Sequence, residues 1–134
     1  MKVLVDTSVW SLALRRATPS PNAAVGELRS LIEEGRVAMI GVIRQELLSG
    51  VRTQTAFERL RDHLRAFADE QLETADFERA AEHFNACRSR GVQGSNTDYL
   101  ICAVAERRSL PILTTDADFT RFAEVLPIAL HGRP

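Results

Sequence analysis

Cysteine and histidine are scarce in the sequence. Cys87 and Cys102 are the 2 cysteines, they form no CxxC motif, and none of the 3 histidines stands at metal-ligand spacing from them. These absences exclude a zinc knuckle and a disulfide framework. We expect both cysteines to be buried thiols in a reducing compartment.

A long hydrophobic run is missing as well. The apolar opening MKVLVDTSVWSLAL is interrupted by Asp6, no small-residue cleavage site follows it, and no stretch of the sequence approaches the length of a membrane span. We therefore expect a cytoplasmic protein with no membrane segment.

An excess of charge of one sign is also absent. The chain has 17 basic and 18 acidic residues, a net charge of -1, so no basic field typical of nucleic-acid binders covers it. Any nucleic acid would have to be held locally. Lys2 is the only lysine, and it precedes the first predicted strand.

The remaining composition is that of one globular domain. The 134 residues, 45% of them apolar, suffice for one core and are short for two. We expect a single domain over residues 1–134, with 131–134 as a loose tail.

Short strand-like runs alternate with segments of helical periodicity. The predicted strands are 3–5, 37–40, 70–73, 111–114 and 127–130, and the predicted helices are 9–14, 22–34, 42–48, 54–67, 76–88, 98–107 and 118–125. Right-handed crossovers between parallel strands then give a three-layer α/β/α fold with a short, mainly parallel sheet covered on both faces.

Two predicted strands end in an acid, Asp6 after VLV and Asp116 after ILTT. Ligands collect beyond the carboxyl ends of parallel strands, so both acids would point into one crevice. The alternative role of each is helix capping, because an Asp before a helix accepts a backbone N–H. Thr7 or Ser8 could replace Asp6 as the cap, and Asp118 could replace Asp116.

Two further acids lie on the apolar side of predicted helices. Glu46 shares a helical face with Val42 and Ile43, in mid-helix, where neither a cap nor the helix dipole accounts for it. Asp98 shares a face with Ile101, although an acid in the first turn also favours the helix dipole.

Four carboxylates directed to one crevice would repel one another unless a cation offsets their charge. Oxygen ligands without His or Cys suit Mg²⁺ or Mn²⁺. Such a site serves phosphoryl or phosphodiester hydrolysis, where the metal activates water and offsets the charge on the phosphate.

The chain resembles the PIN-domain nucleases, most closely the VapC-type toxins of bacterial toxin–antitoxin modules. The resemblance rests on VDTSVW, on the acids in IRQELLSG and SNTDYLICAVA, and on ILTTDADFTRF, in order along the chain. It implies a PIN-like fold, Mg²⁺- or Mn²⁺-dependent RNA cleavage, a homodimer, and inhibition by a small antitoxin whose C-terminal segment occupies the active-site groove.

Site residues follow from the resemblance position by position. The catalytic, metal-binding quartet is Asp6, Glu46, Asp98 and Asp116, and Thr7 helps to orient metal and water. Asp118 is a further acid in the last motif, and its distance from the metal relative to that of Asp116 stays open.

Other polar residues are expected around the quartet. We expect Asn96 and Thr97 to cap the helix of Asp98 and to add hydrogen bonds near the acids. The planar fork of arginine suits phosphate, and the arginines expected nearest the crevice are Arg15, Arg16, Arg44 and Arg52.

Three side chains are expected away from the chemistry. Trp10 could stack on a base, but a lone Trp in an apolar helix favours the core or a dimer contact. His63 and His83 stand beside charged neighbours, so we expect both at the surface.

Competing functions remain open. A receiver domain needs a lysine beside its acids, which Lys2 cannot reach, and a DxD phosphatase needs an acid where Ser8 stands. A metal-dependent phosphohydrolase or nuclease outside a toxin–antitoxin module is one alternative. A non-catalytic binding module stabilised by a cation is the other.

Overall fold

A computed structural model describes residues 1–14 and 22–132 of the chain. The strands in this part are β1 (Val3–Val5), β2 (Val37–Ala38) and β3 (Ile112–Leu113). The helices there are α1 (Thr7–Leu14), α2 (Ala23–Glu33), α3 (Gly41–Leu48), α4 (Gln54–Leu64), α5 (Thr74–Ser89), α6 (Asn96–Arg108) and α7 (Asp118–Val125).

The sheet is parallel, with β1 between β2 and β3. Val3 pairs with Val37, and Val5 pairs with Leu113. All three residues of β1 are buried, because a central parallel strand is covered on both faces. The expected three-layer α/β/α fold with a short parallel sheet is confirmed, and the carboxyl end of β1 opens directly onto Asp6.

Two expected strands are reduced to single bridges within the described residues. The 70–73 segment forms no strand, and the residue before it, Asp69, forms a bridge with Met39. The 127–130 segment contributes only a bridge between Leu130 and Ile112. Each isolated bridge extends the sheet by one parallel pairing. The expected helix over 54–67 ends at Leu64.

Helix α6 is the central helix of the core. Its residues 99–105 are all buried, so the helix is covered on every side. The ring of Tyr99 packs against those of Phe84 and Phe122. Asp98 stands at the start of this buried run, and the packing of α6 therefore fixes its position.

A polar network joins α5 to α6. The Asp76 side chain is fully buried, and Arg107 and Arg108 donate hydrogen bonds of 2.6 and 2.7 Å to its Oδ1 atom. The hydrogen bond from Arg108 is the main cause that holds the pKa of Asp76 well below its usual range. The ion pairs offset the cost of burying the carboxylate.

The expectation that His83 lies at the surface is wrong. The His83 side chain is 2% exposed, and its Nε2 atom lies 2.7 Å from Glu106, which also forms an ion pair with Arg79. Burial lowers the pKa of His83, so the neutral ring is favoured. His63 is exposed, as expected.

The chain end is more ordered than expected. His131 donates its backbone N–H to Ile112 at 2.8 Å, and its ring lies 2.8 Å from the Glu27 carboxylate, so residue 131 is not part of a loose tail. Residues 133 and 134 lie outside the described part of the chain.

The remaining core expectations hold. Trp10 is buried, with its ring edge-on to Phe67, and Cys87 and Cys102 are buried free thiols. Over residues 1–14 and 22–132, no helix is both long and apolar enough to cross a membrane.

Candidate functional site

Asp6 lies where β1 ends and α1 begins, and it is only 4% exposed. Two hydroxyls donate to the same carboxylate oxygen, Oδ2: Ser8 at 2.7 Å and Thr114 at 2.9 Å. Asp6 is therefore held as a buried acid by hydroxyls, one from its own turn and one from the end of β3.

Ser8 and Thr114 are functional candidates that sequence reasoning missed. Thr114 Oγ1 accepts the backbone N–H of Asp116 at 3.0 Å, and Ser8 Oγ accepts that of Thr115 at 3.1 Å. The signal was present in the sequence, because each hydroxyl stands two residues from a strand-end acid. Their shared contact with Asp6 depends on the pairing of β1 with β3, which the sequence alone does not display.

Glu46 projects from α3 towards the start of α1. The hydroxyl of Thr7 donates a 2.7 Å hydrogen bond to Glu46 Oε1, so Thr7 and Glu46 are in direct contact. Glu46 is exposed at the wall of a cleft of about 420 Å³. The described residues that line this cleft are Thr7, Val42, Gln45, Glu46, Ser49 and Thr97.

Asp98 has a structural and an electrostatic role. Its carboxylate accepts the backbone N–H of Ser95 at 3.1 Å, while the Ser95 hydroxyl accepts the N–H of Asp98, which forms a capping box. Burial raises the pKa of Asp98, and the negative charges of Asp6 and Asp116 raise it further, against the Ser95 hydrogen bonds that lower it. Asp6 and Asp116 therefore each lie within electrostatic reach of Asp98.

Asp116 and Asp118 differ in position. The Asp116 carboxylate accepts the backbone N–H of Asp118 at 2.9 Å, so the capping role weighed for Asp116 is present. Asp116 is half-buried and contributes to the raised pKa of Asp98, whereas Asp118 is exposed on α7. Of the two, Asp116 is the one that the structure associates with Asp98.

The expected caps Asn96 and Thr97 are corrected to Ser95. Helix α6 already includes Asn96 and Thr97, and the capping hydroxyl comes from the residue before them. Several good capping residues in a row make the N-terminus ambiguous in sequence. Thr97 still lines the cleft beside Thr7 and Glu46.

The expected phosphate ligand Arg44 has a structural role in the fold. Its guanidinium donates to Asp69 at 2.9 Å, to the Leu64 carbonyl at 3.0 Å, and to the Phe67 carbonyl. These bonds tie α3 to the end of α4 and to the chain that follows it, and most of the N–H groups of Arg44 are used in them.

The other expected phosphate ligands are distributed differently. Arg52 is exposed in the connection between α3 and α4. Arg15 and Arg16 lie outside the described residues.

A second groove adjoins the cleft, and Ser49 lines both of them. It lies between α1, the end of α3 and α4, and has a volume of about 590 Å³. Leu14, Leu47 and Leu60 form apolar wall, and Arg59 lies beside them.

The donor set has the chemistry for a hard cation. Asp6, Asp98 and Asp116 supply carboxylate oxygens, and the mutual repulsion of these groups is what a divalent cation would offset. As they stand, however, no three acidic, histidine or cysteine side chains within residues 1–14 and 22–132 form a group that could hold a metal ion. The type of donor atom therefore suits a divalent cation, but the three carboxylates would have to move closer together to bind one.

The fold and the site together define a three-layer α/β/α domain with an acidic edge at the carboxyl ends of its strands. The chain belongs to the PIN domain family, whose family model matches residues 3–125. A search of the curated proteins finds no match.

Several solved structures share the fold. The FitAcB structure from Neisseria gonorrhoeae matches with a TM-score of 0.75 at 24% identity, over 96% of this chain and 95% of that one. VapBC2 from Rickettsia felis, bound to a promoter DNA fragment, matches with a TM-score of 0.75 at 17% identity, over 98% of both chains. VapBC-5 from Mycobacterium tuberculosis, a member of the VapBC family of toxin–antitoxin systems, matches with a TM-score of 0.68 at 19% identity, over 96% of both.

Proposed function

We propose that the protein is a Mg²⁺- or Mn²⁺-dependent endoribonuclease that acts as the toxin of a type II toxin–antitoxin system. The observation that carries the proposal is that burial raises the pKa of Asp98 and that the negative charges of Asp6 and Asp116, on two other elements, raise it further. Membership of the PIN domain family supports a nuclease over the other phosphohydrolases considered.

The proposed ligands of the cation are Asp6, Glu46, Asp98 and Asp116. A bound divalent cation would supply an activated water and offset negative charge on the phosphodiester. The reaction would be hydrolysis of an RNA phosphodiester that leaves a 5′-phosphate.

The protein's own groups have distinct parts in this proposal. Asp6 is fixed by the Ser8 and Thr114 hydroxyls. Thr7 orients Glu46 through their 2.7 Å hydrogen bond. Thr97 lies with Thr7 and Glu46 along the cleft, where the RNA backbone would pass.

The proposed protein partner is a small antitoxin of the VapB type. The structural neighbours support this, because two of them are described as a toxin–antitoxin complex and as a member of a toxin–antitoxin family. We further propose a homodimer in the bacterial cytoplasm, which light scattering of the purified chain would test.

Arg52 is the expected phosphate contact that remains exposed among the described residues. Arg59, at the rim of the adjoining groove, is a further candidate. Both would supply guanidinium groups to phosphate without a basic surface over the whole protein.

An RNA cleavage assay tests the function. Wild-type protein should cut RNA with Mg²⁺ or Mn²⁺, and both EDTA and Asp98→Asn should abolish cleavage. Asp118→Asn, which removes an exposed acid of the same region, is the matched control and should retain most activity. Cleavage that survives both chelation and Asp98→Asn would refute the proposed mechanism.

The same preparations separate the alternatives. A general phosphohydrolase would hydrolyse a chromogenic phosphomonoester, which the proposed nuclease should not do. A non-catalytic module would bind Mg²⁺ without turning over either substrate. Coexpression with the protein of any adjacent small reading frame should suppress cleavage if the chain is a toxin.

A further inference from the structure

We infer that Ser8 and Thr114 are positioning residues. Their hydroxyls leave Asp6 one oxygen with which to bind a cation, and they hold the turn that contains Asp116 in place beside Asp6. This inference rests on the proposed function, because it assigns the two hydroxyls a part in cation binding. It concerns residues outside the acidic quartet.

The first observation is that both hydroxyls contact one oxygen. Ser8 Oγ and Thr114 Oγ1 lie 2.7 and 2.9 Å from Asp6 Oδ2. The hydrogen bonds that Asp6 accepts within the described residues end on Oδ2, and Oδ1 takes neither of them.

The second observation fixes the direction of the hydrogen bonds. Thr114 Oγ1 accepts the N–H of Asp116, and Ser8 Oγ accepts the N–H of Thr115. The two hydroxyl oxygens are 3.3 Å apart, farther from each other than either is from Asp6 Oδ2. Since a charged acceptor binds a hydroxyl more strongly than a neutral one, each O–H hydrogen points to Asp6.

The result is a pair of relays from the backbone of 115–116 to Asp6. Each relay runs from a main-chain N–H through one hydroxyl to Oδ2, so the end of β3 cannot shift without breaking both. With Oδ2 taken by two donors, Oδ1 is the oxygen left for a cation. Loss of one hydroxyl would free the carboxylate to rotate and the turn of Asp116 to move.

The test measures Mn²⁺ affinity of the full-length protein by electron paramagnetic resonance. Thr114→Val removes a hydroxyl with little change in shape and should weaken Mn²⁺ binding about 10-fold or more, the usual cost of losing a group that orients a metal ligand. Thr114→Ser keeps the hydroxyl and should restore most of the affinity. Thr55→Val, the same change at an exposed site on α4, should leave affinity unchanged.

Hydrogen exchange supplies a readout independent of the metal. Thr114→Val should speed exchange of the Asp116 amide, and Ser8→Ala should speed that of the Thr115 amide, because each loses its acceptor. Ser8→Ala also repeats the affinity test should Thr114→Val fail to fold.

The outcomes distinguish this inference from the proposed function. If wild type binds Mn²⁺ and Thr114→Val and Ser8→Ala bind it equally well, the positioning role is overturned and the function stands. If Thr114→Ser binds as weakly as Thr114→Val, the hydroxyl is not the cause and the role is again overturned. Wild type that binds no Mn²⁺ overturns both.

Discussion

The hydroxyl of Thr7 donates a 2.7 Å hydrogen bond to the carboxylate of Glu46, across a separation of 39 residues in the chain. The bond joins the first turn of α1 to the second half of α3. Because Thr7 follows Asp6 directly, it links the acid at the end of β1 to the acid on α3.

Removal of the Thr7 hydroxyl should lower activity more than stability. Thr7→Val leaves Glu46 without its donor, and we expect kcat on RNA to fall about 10-fold while the free energy of unfolding changes by less than about 1 kcal/mol, since the bond is exposed. Thr7→Ser, which keeps the donor, should stay near wild type. Steady-state kinetics and urea unfolding measure the two effects, and equal losses in both variants would contradict the assignment.

Asp98→Asn should stabilise the protein in the absence of metal. The substitution removes a charge that burial disfavours and that Asp6 and Asp116 repel, while the amide oxygen can still accept the Ser95 N–H of the capping box. We expect a melting temperature higher by about 3 °C, which corresponds to about 1 kcal/mol in a domain of this size. Differential scanning fluorimetry in EDTA measures it.

Mg²⁺ should reverse the order of the melting temperatures of wild type and Asp98→Asn. The cation should raise the melting temperature of wild type by binding the folded state, and should leave Asp98→Asn almost unaffected. Asp98→Ala is the control, because it removes the charge and the capping acceptor together and should melt below Asp98→Asn. Equal Mg²⁺ shifts in wild type and Asp98→Asn would exclude Asp98 as a ligand.

Asp76 should make stability depend on pH in the acid range. The folded-state pKa of Asp76 lies well below the ordinary value of 3.8, chiefly because of the hydrogen bond from Arg108. The carboxylate therefore contributes its full stability at pH values above 3.8, the ordinary pKa of the unfolded chain. This contribution is lost as the pH falls towards the folded-state pKa. Asp76→Asn should cost about 3 kcal/mol at pH 7, as expected for a broken buried ion pair.

Urea unfolding at pH 7 and at pH 3 checks the sign. The difference between wild type and Asp76→Asn should be smaller at pH 3, where the unfolded wild-type chain binds the proton. Glu78→Gln alters an exposed acid on the same helix and should have little effect at either pH. A difference that grows on acidification would contradict the assignment.

Two glycine substitutions should act in opposite directions. A Cβ on Gly94 would lie 2.6 Å from Phe122 and 2.9 Å from Tyr99, so Gly94→Ala should destabilise by about 2 kcal/mol through overpacking. Gly26 lies within α2 with open space at its Cβ position, and Gly26→Ala should stabilise by about 0.5–1 kcal/mol. Urea unfolding measures both changes in the free energy of unfolding. Changes of the same sign in the two variants would contradict this account of the packing.

Arg44 should matter for stability, and Arg52 should not. Arg44→Met removes hydrogen bonds to Asp69, to the Leu64 carbonyl at the end of α4 and to the Phe67 carbonyl, with an expected loss of about 2 kcal/mol. Arg52→Met makes the same change in charge at an exposed position and should stay within about 0.5 kcal/mol of wild type. Equal stabilities by urea unfolding would leave Arg44 free for phosphate, as the sequence first suggested.

The sequence predicted the local features of the fold well. The β-branched run ending at Asp6 forms β1, and α7 spans Asp118–Val125 as expected. These elements depend on neighbouring residues, whose spacing a sequence displays directly. The prediction of the four acids rests on the same kind of pattern, and their role as ligands stays a prediction.

Contacts between distant segments were not predictable in the same way. His83 was expected at the surface because its neighbours in sequence are charged, yet its partner Glu106 lies 23 residues away on α6. Arg44 donates in part to backbone carbonyls. Every residue has a backbone carbonyl, so the residue types in a sequence do not reveal such a partner. The hydroxyl of Thr114 is 108 residues from Asp6, and only the pairing of β1 with β3 brings them together.

The capping box at Ser95 has a consequence for the order of events during folding. The carboxylate of Asp98 both caps the start of α6 and belongs to the acidic edge, so one group serves the start of the central helix and the proposed cation site. A chain that begins α6 correctly has thereby already set one acid in place. For crystallography of an inactive form, Asp98→Asn preserves the start of α6. Asp98→Ala would remove the charge and the helix cap together, so a loss of activity could not be separated from a loss of folding.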